Sequence, residues 1–157
     1  MRATIIGANS YIARNLICLL REVHACDQLF LYDIGNEQKD GEKNYEKLNI
    51  LSKDDLSRVN FDVDAIYMFV GKTGSAEGFS DPDVFLDINE RALLYVLNEY
   101  VAKGSKARLI FPSTRLLYDH NSRAEEKDVS DKINTVYAVN KGVLINLWYL
   151  HIHFNTV

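Results

Sequence analysis

Short apolar runs alternate with segments of helical period along this chain. The first, Ala3–Ile6, reads as a buried strand, after which Ile12, Leu16, Leu19 and Leu20 recur at the spacing of one helix face. Leu29–Tyr32 forms a second strand. The polar stretch Gly35–Asn44 reads as a surface loop, followed by a weaker strand near Tyr45–Ile50 and a short helix around Asp54–Arg58. Ala65–Val70 is the next strand, and the Gly/Ser-containing stretch from Gly71 through Ser80 reads as a loop facing a ligand. Pro82 opens the longest helix, with Phe85, Ile88, Leu93, Val96 and Leu97 as its buried stripe and Gly104 as its stop. Leu109–Phe111 is a strand ending at Pro112, and Arg123–Lys132 is a charged, solvated loop. A further helix begins at Ile133 or Asn134. His153–Val157 reads as a strand at its start. Strands alternating with helices in this way predict an α/β fold, a doubly wound parallel sheet (Rossmann-like), with the chain ending at the start of the sixth or last strand.

Composition narrows the function. At 157 residues the chain holds one domain with a real core, and its 47% apolar and 25% charged residues are ordinary for a globular protein. A net charge of -4 supplies no basic footprint for nucleic acid or anionic lipid, which favours a small-molecule partner. No apolar stretch approaches the roughly 20 residues of a membrane span, and Arg2 runs directly into a strand rather than a signal peptide. Cys18 and Cys26 match no zinc or redox spacing, so reduced thiols in a cytoplasmic protein are expected. His151 and His153 share a face if extended, but no third ligand accompanies them and no metal is expected.

Candidate chemistry follows the first strand. Gly7-Ala8-Asn9-Ser10-Tyr11-Ile12-Ala13 occupies the place of a glycine-rich dinucleotide turn. Gly7 fits the tight turn, while Ser10 and Ala13 are small enough for backbone approach to a diphosphate and for helix packing. The helix N-terminus behind them suits an anion through its free N–H groups and dipole. Asp33 closes the second strand, where a carboxylate can accept from an adenosine ribose and repel a 2′-phosphate, which favours NAD over NADP. It also suits the opening of a turn. Further on, Tyr137 and Lys141 lie four residues apart in a helix, so a phenol and an ammonium share one face. A nearby cation favours the phenolate, which makes the pair a device for proton transfer.

Taken together, Ile-Gly-Ala-Asn-Ser-Tyr-Ile-Ala, Asp33, Asp-Ile-Asn-Glu (Asp87 to Glu90), Phe-Pro-Ser-Thr-Arg-Leu-Leu-Tyr (Phe111 to Tyr118) and Tyr137 with Lys141 resemble the extended short-chain dehydrogenase/reductase family, in its NAD-dependent nucleotide-sugar epimerase/dehydratase branch. The resemblance covers nearly the whole chain. It implies Tyr137 as catalytic acid/base, Lys141 as the residue that binds the nicotinamide ribose and stabilises the phenolate, and Thr114, four positions before Tyr118, as the catalytic hydroxyl. For the cofactor NAD it implies Gly7, Asn9, Ser10, Tyr11, Ile12, Asp33, Asn49, Ile50, Val70, Gly71 and Asn89, with Tyr137 and Lys141. A nucleotide sugar is the implied substrate, and a homodimer is admitted.

Departures from the family pattern matter. Ser10 and Ala13 replace glycines, and Asn49 stands where many members carry an aspartate near adenine. Dehydratases place Asp and Glu directly after the active-site Thr, because eliminating water needs a dedicated acid and base. Here those positions are Arg115 and Leu116, which leaves epimerisation or simple alcohol/ketone redox chemistry. Family members also continue well beyond this lysine to build the sugar-nucleotide pocket, so the isolated chain is expected to be catalytically incomplete. The alternative is a non-catalytic NAD-binding module or an inactive fragment of a longer enzyme.

Overall fold

A computed structural model describes residues 1–118, 130 and 133–154. The chain divides into two compact units, residues 1–70 with 95–112, and residues 71–94 with 113–157.

The first unit is built on a five-stranded parallel sheet in the order β3-β2-β1-β4-β5. Its strands are β1 (Arg2–Ile6), β2 (Gln28–Asp33), β3 (Tyr45–Lys47), β4 (Ala65–Met68) and β5 (Arg108–Ile110). In β1, Ala3 and Ile5 point to one face and Thr4 and Ile6 to the other, yet all four are fully buried. The strand is therefore covered on both sides, which is why it reads as a continuous apolar run. On one face Ala3, Ile5, Leu29 and Leu31 join Ala13, Ile17 and Leu20 of helix α1 (Tyr11–Glu22) in a single cluster. The expected stripe of α1 is corrected here, because Ile12 and Leu19 are more than half exposed. Ala13 sits in the interior instead, where only a small side chain lets helix and sheet approach.

Polar anchors hold the loops of this unit. Thr4 Oγ1 donates to the Asn60 carbonyl at 2.6 Å, and the Tyr32 hydroxyl accepts from Asn60 N–H at 3.1 Å. Helix α2 (Lys53–Ser57) is capped by Ser52 and buries Leu56. Lys103, at the end of α5 (Ala92–Ala102), donates to the Ser57 and Val59 carbonyls, satisfying the orphan groups at the end of α2. Gly104 follows at φ +59, the left-handed stop that its position predicts.

The second unit is helical. The stretch expected to be a loop contains α3 (Ser75–Ser80), and Pro82 opens α4 (Pro82–Leu86) as its first residue. A π-helical turn over Asp87–Arg91 then leads into α5. Thr114 caps a 3-10 turn at Arg115–Leu117, and α6 spans Val136–Phe154. Phe85 is fully buried, with Gly78 beside it in a space that a Cβ would fill against Val136 and Phe85. The helix α6 packs against α3, α4, the π turn and the 3-10 turn. It also corrects the expected final strand, since His153 and Phe154 are helical. Asn155–Val157 and most of the Arg123–Lys132 loop lie outside the described residues.

Candidate functional site

In the first unit the parallel strands change sides at β1 and β4, so their carboxyl ends form the crevice where open α/β sheets bind ligands. Gly7 follows β1 at this point with φ +88, and a Cβ there would lie 2.8 Å from the backbone of Phe69 and Val70. The turn is pinned by the N–H groups of Gly7 and Ala8, which both donate to the Tyr32 carbonyl at 2.8 and 3.0 Å. Ser10 caps α1, its Oγ accepting from the Ala13 N–H at 3.3 Å. That hydroxyl proton stays available to donate, so Ser10 supplies a polar group where a glycine would leave open space. Tyr11 is 82% exposed and Ile12 is exposed beside it at the start of α1, where the first N–H groups have no partner within the helix.

Asp33 closes β2 and is half-buried. One carboxylate oxygen accepts from Asn9 N–H at 2.8 Å and the other from Ile34 N–H at 2.7 Å. Each oxygen keeps lone-pair capacity for one further donor, which is what a vicinal diol offers. The Asn9 side chain turns the other way and clasps the following loop. Its amide donates to the Glu37 carbonyl at 3.1 Å and its oxygen accepts from Lys39 N–H at 2.9 Å. The Tyr45 hydroxyl donates to the Gly35 carbonyl at 2.6 Å, closing the same loop. Asn49 is exposed, with its side-chain oxygen engaged by Leu51 N–H at 3.1 Å, and the neighbouring Ile50 is buried. Val70 is half-buried at the boundary of this unit.

In the second unit Gly71, Asn89, Tyr137 and Lys141 come together. Asn89 lies in the π turn and is almost fully buried, its oxygen accepting from Lys72 N–H at 3.0 Å and its amide donating to the Lys72 carbonyl at 3.1 Å. π turns carry one extra residue per turn and often mark functional positions. A Cβ on Gly71 would lie 3.3 Å from Asn89 Oδ1 and 3.8 Å from Lys141 Nζ. Lys141 is 4% exposed, and its Nζ stands 5.8 Å from the centre of the Tyr137 ring. Burial pushes the Lys141 ammonium below its ordinary pKa. A buried ammonium of this kind gains from any phenolate or hydroxyl brought to it. Thr114 is half-buried, and its hydroxyl accepts from Leu116 N–H at 3.3 Å. Among the described residues it makes no hydrogen bond to Tyr137.

Two features escaped the sequence reading. One is Asn9 as a loop clasp. The other is a hydrogen bond from the Asn140 amide to Glu90 between α6 and the π turn. An asparagine inside the apolar run of α6 is the signal that could have found the second.

Comparison with known proteins agrees with this geometry. Among curated proteins none matches the chain. The L-threonine 3-dehydrogenase of Trypanosoma brucei is 26% identical over 95% of this chain and 49% of its own, with a TM-score of 0.77. The UDP-glucose 4-epimerase of Thermus thermophilus, solved in complex with NAD, is 16% identical over 100% of this chain and 52% of its own, with a TM-score of 0.85. The L-threonine dehydrogenase of Cupriavidus necator is 21% identical over 100% and 52%, with a TM-score of 0.86. The chain thus spans about half the length of the solved structures it matches. A family model for the NAD dependent epimerase/dehydratase family matches residues 3–150, and this protein belongs to that family, whose cofactor is NAD.

Proposed function

We propose that this chain carries the NAD-binding part and the proton-transfer residues of an oxidoreductase that acts on a secondary alcohol, with a nucleotide sugar as substrate and epimerisation as its net reaction. The observation that supports this most directly is the buried Lys141 ammonium beside Tyr137 and Gly71. NAD, when bound, accepts the hydride from the alcohol carbon, and in an epimerisation returns it to the other face of the ketone. Lys141 stabilises Tyr137 as the phenolate, which takes the hydroxyl proton as the O–H bond breaks and is left as the neutral phenol, the acid that returns the proton when the ketone is reduced. Thr114 holds the same substrate oxygen through its hydroxyl. Asn89 fixes the Lys72 backbone and with it the approach to Gly71. On the first unit, Tyr11 and Ile12 present backbone N–H groups to the diphosphate, while Gly7, Asn9 and Ser10 shape the turn that brings it there, their own N–H groups bonded to the Tyr32 carbonyl, the Asp33 carboxylate and the Gly7 carbonyl. Asp33 receives the adenosine ribose, and Asn49 and Ile50 flank the adenine. Arg115 and Leu116, in the 3-10 turn after Thr114, offer no acid/base pair for dehydration.

A second reading is a dehydrogenase of the L-threonine type, favoured by the 26% identity to the trypanosomal enzyme. In that case the same residues oxidise a hydroxy amino acid and release the ketone. A homodimer is supported by the exposed apolar side chains Leu86 on α4 and Val139 and Ile145 on α6. No helix among the described residues is long and apolar enough to cross a membrane, and we place the protein in the cytoplasm.

Calorimetric titration tests the cofactor assignment. NAD(H) is expected to bind more tightly than NADP(H), and Asp33→Ala should weaken NAD binding by about tenfold, since hydrogen bonds to a charged group contribute roughly 1.5–3 kcal/mol each. Equal or tighter NADP(H) binding would sink the role of Asp33. Incubating a full-length form and NAD with UDP-, dTDP- and GDP-sugars and with L-threonine separates the two substrate readings. Epimerised sugar supports the first, and NADH formed with L-threonine alone supports the second.

A further inference from the structure

The helix that carries Tyr137 and Lys141 is apolar on nearly every side. Its sequence from Val136 to Phe154 has buried Ala138 and Leu144 on one side and exposed Val139 and Ile145 on another. Hydrophobic packing is non-directional, so such a helix has several rotational settings of similar energy. A shift of one residue turns a helix by about 100°, which would carry both Tyr137 and Lys141 away from Gly71. Something directional has to select the setting.

The candidate is the contact between Asn140 and Glu90. Asn140 is 4% exposed, stands directly before Lys141 and three residues after Tyr137, and donates from its side-chain amide to Glu90 Oε1. Glu90 follows Asn89 in the π turn, and Asn89 is itself locked onto both backbone groups of Lys72. The neighbours Asn89 and Glu90 thus tie the Lys72 backbone and α6 to one rigid turn. The Asn140 Oδ1 is buried with no hydrogen-bond partner among the described residues. Buried polar groups in native cores are nearly always bonded, so this atom calls for an explanation, and a lone buried asparagine is a well-attested way to fix helix register.

We infer that Glu90, acting through Asn140, is a positioning residue that sets the rotation of α6 and thereby holds Lys141 and Tyr137 at Gly71. This rests on the proposed function for its purpose, though the register itself is measurable without cofactor or substrate. Asn140 is buried and Glu90 half-buried, and replacing both members of a desolvated polar pair by apolar groups is often neutral or stabilising, because the desolvation cost disappears. The double variant Glu90→Leu with Asn140→Leu should therefore fold and melt at or above the wild-type temperature, while losing the directional constraint. Glu90→Gln keeps an acceptor for Asn140 and should behave as wild type.

The experiment is acetylation of the full chain with acetic anhydride, followed by mass spectrometry of the peptide containing Lys141, with exposed Lys72 and Lys106 as internal standards. Wild type and Glu90→Gln should protect Lys141, and the double variant should label it about tenfold faster, the fold-change of losing one buried polar interaction. NADH titration on the same samples should show a loss of at least about fivefold in the double variant alone. Unchanged protection in the double variant, or equally fast labelling in Glu90→Gln, overturns the inference. Faster labelling with unchanged NADH affinity supports the register role and refutes the cofactor role of Lys141, so the two failures are distinguishable.

Discussion

Substitution of Gly7 by alanine tests the close approach on which the cofactor crevice depends. The added methyl carbon meets two penalties. At φ +88 an L side chain is strained, which costs about 1–3 kcal/mol. The methyl also falls 2.8 Å from Phe69 C and Val70 N, backbone atoms that cannot rotate away, and overpacking of this kind costs about another 1–3 kcal/mol. The sum, about 2–6 kcal/mol, is a large share of the roughly 5–15 kcal/mol that holds a domain folded. Gly41 provides the control, because it has φ +78 with nothing within 4 Å of its would-be Cβ. Gly41→Ala therefore carries the backbone strain and the unfolded-state effect without the collision. Thermal unfolding followed by circular dichroism should place Gly7→Ala below Gly41→Ala by about 2–12 °C, taking about 2–4 °C per kcal/mol for a chain of this size. Equal melting of the two variants would show that the strand ends can separate at no cost, and the account of a tight crevice would fail.

In a full-length form that turns over, Tyr137→Phe should reduce turnover by at least about 100-fold while leaving NAD affinity within about twofold, because only the transferred proton is lost; retention of most of the rate would return Tyr137 to a structural role. Lys141 gives a pH signature. Its native pKa lies below the 10.5 of an ordinary lysine, so the unfolded chain binds more protons between those values and stability rises with pH across that window. Lys141→Met should accordingly raise the melting temperature at pH 7 without cofactor, with the gain shrinking as pH climbs toward 10.5. A gain that grew with pH would contradict the burial argument.

The strands were legible because parallel strands covered on both faces concentrate apolar residues, as Ala3–Ile6, Leu29–Tyr32 and Ala65–Met68 do. Within α1 the larger residues misled. Ile12 and Leu19 fit a helical period, but the sheet accepts Ala13 because of its small volume, which a hydrophobicity pattern undervalues. Helix α3 was hidden by a sequence of Ser, Ala, Glu and Gly with no side-chain cap. The π turn carries no residue signature in the hydrophobic pattern, and it is recognised from the structure, where Asn89 in it meets the Lys72 backbone. At the far end, His-Ile-His-Phe suits a strand by composition, and helical continuation from Leu144 prevailed. Among the proposed site residues, Gly7, Asp33, Tyr137 and Lys141 stand out in the sequence because each role asks for a particular residue type at a particular spacing. The partners of Asn9 and Glu90 are set by three-dimensional approach, which spacing does not encode.

The clasp of Asn9 on residues 37 and 39 changes how cofactor affinity should be understood here. A loop that must be ordered on binding subtracts its conformational entropy from the affinity, roughly 1–2 kcal/mol for each residue fixed. In this chain the loop after β2 is already tied down by hydrogen bonds within the chain, including those of Gln38, whose oxygen accepts from Asp40 and Glu42 N–H. Folding, rather than binding, bears that entropy. If Asp33 receives the ribose as proposed, the nucleotide meets a rim that is already shaped, and a site that need not close around its ligand offsets the missing second and third glycines of the turn.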